Sequence, residues 1–447
     1  MHNRNSEPLL ILAFAGLFVL SLAIAGNHFA GNRSTTRALP RPIVQKNPAS
    51  VPGPETTNPG AVATGNDTLT NSWENLEAFY QALHNIASDQ TRVHIAYFGD
   101  SMIEGDLVTM HLRQFLQRHF GGTGVGFVTI TTPLPGFRTT ILQSFNDAWE
   151  VIPFTHTAAT DRDAPGISGY TYLSSRGART EFSTPKNGAP FRHASLLFGG
   201  TQPVRLKITT DTLTQTVTLM PEGRVNRYGI VADSAFRSLS LRVESDDPGV
   251  FYGVNFEAGA GVYVDNYAFR GNSGLPMTAI PSPVFEGFNR ILNNRLIILH
   301  FGLNVYTPGV DDYHWYEMAM DKVVRHVRES SPGCSILLIS MPDRSALING
   351  AYHTPAGLPE FIRLQKRVAL REHAAYLDLY DAMGGAESMK NWVEGHPKLA
   401  GEDYTHPNGA GAARIASYVF DFLMRGYEHW LHPSDTTLTP KQPGMTL

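Results

Sequence analysis

Apolar residues recur along this chain in different rhythms, and the order of those rhythms predicts an architecture. Trp73, Leu76, Phe79, Tyr80, Leu83 and Ile86 fall at helical spacing behind Asn71 and Glu74, whose separation is that of a capping box. Val93, Ile95, Tyr97 and Phe98 then form an apolar run that stops at Gly99-Asp100-Ser101. Val108, Leu112, Phe115 and Leu116 place a helix over about 105–119, and Gly121, Gly122, Gly124 and Gly126 follow as a turn. Strand, helix and glycine turn open a doubly wound α/β pattern.

From 134 to 265 the helical period is absent. Val204, Leu206 and Ile208 alternate with polar residues, as do Leu239, Leu241 and Val243, and Val250, Tyr252, Val254 and Phe256. Gly, Pro, Asn and Asp punctuate these runs at intervals that suit antiparallel strands, so this segment reads as an inserted all-β sandwich. Its aromatic residues Tyr170, Tyr172 and Phe191 either stack on a sugar or fill a core. The α/β rhythm then returns. Residues 296–301 are continuously apolar, as in a strand buried on both faces, and end at Gly302-Leu303-Asn304. A helix through about Arg328 is expected to turn Trp315, Met318, Val323 and Val327 inward. Strands at 336–340 and 376–379 flank a helix at 360–373, and a last helix at 410–425 carries Ile415, Val419, Phe422 and Leu423. The predicted fold is therefore α/β, a parallel sheet split across 71–133 and 266–430, with the β-sandwich of 134–265 inserted.

The first residues add an address. Residues 8–32 carry no Asp, Glu, Lys or Arg, and their apolar centre, 9–25, has the length of a short membrane span. Residues 1–32 are expected to be a signal anchor, with Ala23-Ile24-Ala25 offering a signal-peptidase site as the alternative. Arg4 precedes the segment and Arg33, Arg37 and Arg41 follow it, so charge does not orient it. Residues 33–70, with Pro40, Pro42, Pro48, Pro52, Pro54 and Pro59, read as a linker, and 431–447 as a disordered tail. The body is expected outside the cytoplasm, in a periplasmic or equivalent compartment, tethered to the inner membrane.

Composition narrows the function. A chain of 447 residues with 42% hydrophobic and 17% charged residues can bury a large core in two to three domains. A net charge of −4 gives no basic field for a nucleic-acid partner. The single cysteine, Cys334, allows no intramolecular disulfide and opens an apolar run, as a buried thiol does. No cofactor or metal is expected. The stretch Gly122-Thr123-Gly124-Val125-Gly126 follows a helix instead of opening one, and His429 and His432 lack a third ligand.

The chemistry lies in segments at strand ends. Ser101 closes an apolar strand at its carboxyl end, where open α/β sheets place their sites. Asp403 and His406 stand three residues apart before a helix. A serine hydroxyl needs a base, and an imidazole base needs a carboxylate to fix its tautomer, so these three residues form a candidate catalytic set. Acyl transfer also needs donors for the oxyanion. The backbone N–H of Ser101, that of Gly271 and the side-chain amide of Asn304 could serve, with Gly274 close enough to compete with Gly271. Asp100 reads as a turn-holding residue. The Gly-x-Ser-x-Gly elbow of α/β-hydrolases is absent, since Ile103 occupies its last position.

Gly99-Asp100-Ser101, Gly271, Gly302-Leu303-Asn304 and Asp403-Tyr404-Thr405-His406 resemble, in order, blocks I, II, III and V of the SGNH (GDSL-type) hydrolases. The resemblance implies a three-layer α/β/α fold, Ser101 as nucleophile, His406 and Asp403 completing the triad, and Ser101, Gly271 and Asn304 as the oxyanion hole. Phe98–Asp106, Gly121–Val128, the β insertion and Met383-Gly384-Gly385 are similar to the peptidoglycan O-acetylesterase branch. Met102 and Ile103 depart from it, standing where that branch often has polar residues. What this implies is an exported esterase removing O-acetyl groups from wall or surface polysaccharides. Two alternatives stand beside it: a glycan O-acetyltransferase working with a membrane acyl-exporting partner, and a non-catalytic glycan-binding module.

Overall fold

The computed structural model describes residues 72–155 and 164–433. The anchor at 1–32, the linker at 33–70, the Asn71 cap and tail residues 434–447 lie outside the described residues. No helix among the described residues is long and apolar enough to cross a membrane.

The central sheet has five strands: β1 (Arg92–Gly99), β2 (Gly261–Ala268), β3 (Asn294–His300), β4 (Ser335–Ile339) and β5 (Ala375–Leu377). Their order is β2-β1-β3-β4-β5, and every pairing is parallel. Such a sheet is covered on both faces, which explains the nearly continuous burial of β1, β3 and β4. Val93, Ile95 and Tyr97 of β1 pack with α1 (Glu77–His84), α2 (Leu107–Phe120) and, farther along the chain, α6 (Gly409–Leu431). Ala96 and Phe98 point the other way, toward α3 (Ser282–Leu292), α4 (His314–Glu329) and α5 (Leu358–Arg371). The result is the expected three-layer α/β/α arrangement. Because β2 and β3 lie on opposite sides of β1, the strand order reverses between β1 and β3. A crevice opens at that point, outside the carboxyl ends of the strands.

The inward face of α4 differs from the sequence expectation. Trp315 and Met318 are exposed at 56% and 48%, while Tyr316, Met320, Val323, Val324 and Val327 are buried. The buried positions share one 3.6-residue face, and Trp315 and Met318 fall outside it. Helix α6 continues through Leu431, into the segment expected as tail. Cys334 is half-buried with its Sγ 3.1 Å from the Asn294 carbonyl, and burial pushes the thiol up to about 11.

The insertion is two antiparallel sheets. One contains Ala194–Gly199, Val250–Ala258 and Tyr170–Ser174; the other contains Arg179–Ser183, Ser238–Val243 and Val204–Thr210. Phe182, Phe191, Phe236 and Phe256 fill the space between them. The structure moves both edges of the segment drawn from sequence. Thr123–Thr129 pairs with Val250–Ala258 in the sandwich, whereas Gly261–Ala268 pairs with β1 in the parallel sheet. Val250–Ala258 is buried along its whole length, because Tyr252 on its second face packs against Phe288 of α3. Of the three aromatic residues considered for sugar stacking, Tyr172 and Phe191 belong to the core. Tyr170 is half-buried and stacks on Phe269 at 4.7 Å.

A buried charge cluster joins the two parts. His94 of β1 bridges Asp265 of β2 at 2.7 Å and Glu257 of the insertion at 2.8 Å, and Arg92 reaches Glu257 at 3.0 Å. Burial pulls the His94 imidazole down, but the two carboxylates, Asp265 foremost, overcome that and hold it at about 9.

Candidate active site

Each candidate residue lies just beyond the carboxyl end of a strand or in the loop before α6. After Gly99 the chain turns sharply. Asp100 Oδ1 accepts the Met102 N–H at 3.0 Å, and the Ile103 N–H points to the Asp100 carbonyl at 3.4 Å. Asp100 is thus the turn-holding residue expected, and the turn presents Ser101. The Asp403–His406 loop is fixed at its far end by Asn408, whose side chain accepts the N–H groups of Ala410 and Gly411 at the start of α6. The Gly401 N–H donates to the His406 carbonyl at 2.8 Å, and the Tyr404 ring stacks on Tyr352 at 3.6 Å, nearly parallel.

The structure brings the three residues together. Ser101 Oγ lies 2.8 Å from His406 Nε2, and His406 Nδ1 lies 2.7 Å from Asp403 Oδ2. With Nδ1–H donating to the carboxylate, Nε2 is the acceptor for the serine hydroxyl, the arrangement a general base requires. Asp403 Oδ1 also accepts the N–H groups of Thr405 and His406 at 3.1 and 3.0 Å. Burial pushes the Asp403 carboxyl up, but the bonds from the His406 ring and backbone outweigh it and hold it below the ordinary carboxylate range. The His406 and Asp403 side chains remain 32% and 28% exposed, so the triad faces an open surface.

The candidate oxyanion donors are arranged less simply. Gly271 has φ of +79°, and a Cβ there would meet no atom within 4 Å, so the backbone is open to approach. The Gly274 N–H, by contrast, donates to Asn272 Oδ1 at 2.8 Å. This geometry favours Gly271 over its competitor. Asn304 Nδ2 donates to Asp100 Oδ2 at 3.0 Å and to the Asn272 carbonyl at 3.2 Å, so both of its N–H bonds are engaged. Asp100 itself is 1% exposed, and burial raises its carboxyl to about 6 against the pull of Met102 N–H, His406 and Asn304. A recess of about 80 Å³ opens against Arg270, lined also by Glu104, Phe137 and Tyr170.

Residues 238–414 match the GDSL-like lipase/acylhydrolase family. The matched stretch holds Gly271, Asn304, Asp403 and His406, and the fold delivers Ser101 to them from outside it. Over that stretch the chain carries the pattern of the GDSL-like acylhydrolases. Among solved structures, the chain is similar to a peptidoglycan O-acetylesterase, with 23% identity and a TM-score of 0.64 over 81% of this chain and 98% of the other. It is more distantly similar to a family 2 carbohydrate esterase with a carbohydrate-binding domain from Corynascus thermopiles (Myceliophthora fergusii), at 13% identity and a TM-score of 0.30. That likeness covers 63% of this chain and 99% of the other. No curated protein matches the sequence.

Sequence reading did not find Asn272, whose carbonyl and side chain organise Asn304 and Gly274, nor Arg344 and Tyr352 beside the triad loop. Asn272 follows Gly271 and was visible as a neighbour. Arg344 carried one signal, its place shortly after a buried strand of the parallel sheet.

Proposed function

We propose that this esterase removes O-acetyl groups from cell-wall or surface glycans through an acetyl-serine intermediate. Ser101 Oγ attacks the acetyl carbonyl as His406 Nε2 takes its proton, and Asp403 stabilises the imidazolium. The oxyanion is received by the N–H groups of Ser101 and Gly271 and by Asn304, which exchanges its longer bond to Asn272 for the new charge. His406 then protonates the departing sugar oxygen. A water deprotonated by the same imidazole attacks the acetyl-enzyme and releases acetate. The observation that carries the reading is the hydrogen-bonded chain from Ser101 through His406 to Asp403, at 2.8 and 2.7 Å.

The choice of glycan rests on two supports. The partly exposed triad suits a group carried on a polymer, which a closed pocket would exclude. The likeness to a peptidoglycan O-acetylesterase adds the acetylated polysaccharide. Export and tethering to the inner membrane belong to the same proposal, supported by the uncharged segment 8–32. The test is acetate release from a panel of acetylated polysaccharides by the native protein and by Ser101→Ala. Release by the native protein alone supports the reading; equal release by both proteins, or none from any glycan, overturns it.

A further inference from the structure

Arg344 sits in the loop after β4, at the carboxyl edge of the sheet that carries Ser101 and Asn304. Its neighbour Ser345 donates its N–H to the Tyr404 carbonyl at 3.0 Å, which ties this loop to the one bearing Asp403 and His406. On the other side, Arg344 Nη1 reaches the Tyr306 carbonyl, two residues beyond Asn304, at only 3.5 Å. Asp403, Tyr306 and Tyr313 are the ionisable groups that face it.

The guanidinium is poorly used by the protein. Its Nε is sealed from water without a hydrogen-bond partner, and no ion pair holds the group among the described residues. Arg113 and Arg138 are both committed to Asp106, Arg270 to Glu104, and Arg371 to Glu317 and Asp321. The acid whose charge it feels, Asp403, is spent on His406 and on two backbone N–H groups. Withdrawing a cation from water without compensation is costly, and a guanidinium presents a planar fork that fits a carboxylate or phosphate through two bonds. Arg344 therefore lies between the Asn304 loop and the triad loop with donors still to give.

We propose that Arg344 binds an anionic substituent of the glycan, a carboxylate or a phosphate, so that the substrates are acidic polysaccharides. This rests on the deacetylase reading and names its substrate class. Arg344 acts on binding, and the acetyl transfer at Ser101 proceeds without its taking or giving a proton.

The experiment uses the full chain hydrolysing a neutral aryl acetate in the presence of non-acetylated tetrasaccharides. The inhibitors are a uronic-acid tetrasaccharide, its methyl ester, and a neutral tetrasaccharide with and without a phosphate. The anionic member of at least one pair is expected to inhibit about tenfold more strongly than its neutral twin, the size of one charge-assisted contact. Arg344→Gln is expected to reduce that ratio to near one, and Arg344→Lys to keep part of it. A change in aryl-acetate kcat with the ratio intact would mark a structural role and overturn the proposal. So would a native protein with no preference in either pair. Should Arg344→Gln not fold, the same ratio in the native protein is expected to shrink as salt is raised, and a salt-independent ratio overturns the idea. Because the readout is inhibition of a neutral ester, it stands apart from acetate release from glycans, where the deacetylase reading succeeds or fails.

Discussion

Asn304 and Asp100 are joined at 3.0 Å, the amide of one donating to the carboxylate of the other. The side chain that would meet a developing oxyanion is therefore aimed by the residue immediately before Ser101. Asp100 is a positioning residue in this arrangement. Replacing Asn304 by Ala is expected to lower kcat by about 10²–10³, as removal of an oxyanion donor does elsewhere. Asp100→Ala is expected to lower kcat by roughly 10–100-fold with KM little changed, since a misaimed donor is lost to the transition state alone. Asp100→Asn, which keeps an acceptor, should recover part of it. Steady-state kinetics on an aryl acetate reads all three, and an unchanged kcat in Asp100→Ala would refute the aiming role.

Asp403 fixes the tautomer of His406 and holds its own loop through two backbone N–H groups. Asp403→Asn is expected to reduce turnover by up to ~10⁴, because the ring is then free to adopt the wrong tautomer. The protein should still fold, since the packed residues behind the loop are untouched. Circular dichroism together with aryl-acetate turnover checks both halves of this expectation.

The cluster around His94 predicts a stability that declines on the alkaline side. The folded-state value of about 9 lies above the ordinary 6.5, so the favourable interaction is complete below about 6.5 and is lost as pH rises through 9. Its groups are Asp265, Glu257 and Arg92, with Tyr263 stacked on the ring at 5.0 Å. The melting temperature is expected to fall between pH 6.5 and 9.5 in the native protein. In His94→Gln it should start lower and fall less steeply over that interval. Parallel slopes in the two proteins would contradict the assignment.

Phe288 is fully buried between Tyr252 and Phe127 of the insertion and the underside of the parallel sheet. Phe288→Ala is expected to cost about 3–5 kcal/mol and to destabilise hydrolase and insertion together. Calorimetry should show one transition moved to lower temperature; two separate transitions would show that the parts melt independently.

Much of this was legible in the order of residues. Continuous apolar runs such as 296–301 announce strands covered on both faces, and alternation at Val204, Leu206 and Ile208 announces a sandwich. Ser101, Asp403 and His406 could be named because each ends a strand or precedes a helix, and the fold then joins them at 2.8 and 2.7 Å. What sequence could not give was pairing. Nothing local marks Thr123–Thr129 as a partner of Val250–Ala258, or Gly261–Ala268 as a partner of β1. Trp315 looked like a core residue by type, yet the helical phase of α4 turns it outward. The engagement of Asn304 was invisible because Asn272 and Asp100 reach it from distant parts of the chain.

Val250–Ala258 has no side facing solvent. A domain whose central strand is shared in this way is no interchangeable cassette. Transplanting the insertion from a relative would strip α3 of its cover unless Phe288 were redesigned with it. Changes in substrate preference are therefore to be sought in the loops at the sheet's carboxyl rim, which can vary without reopening that seam.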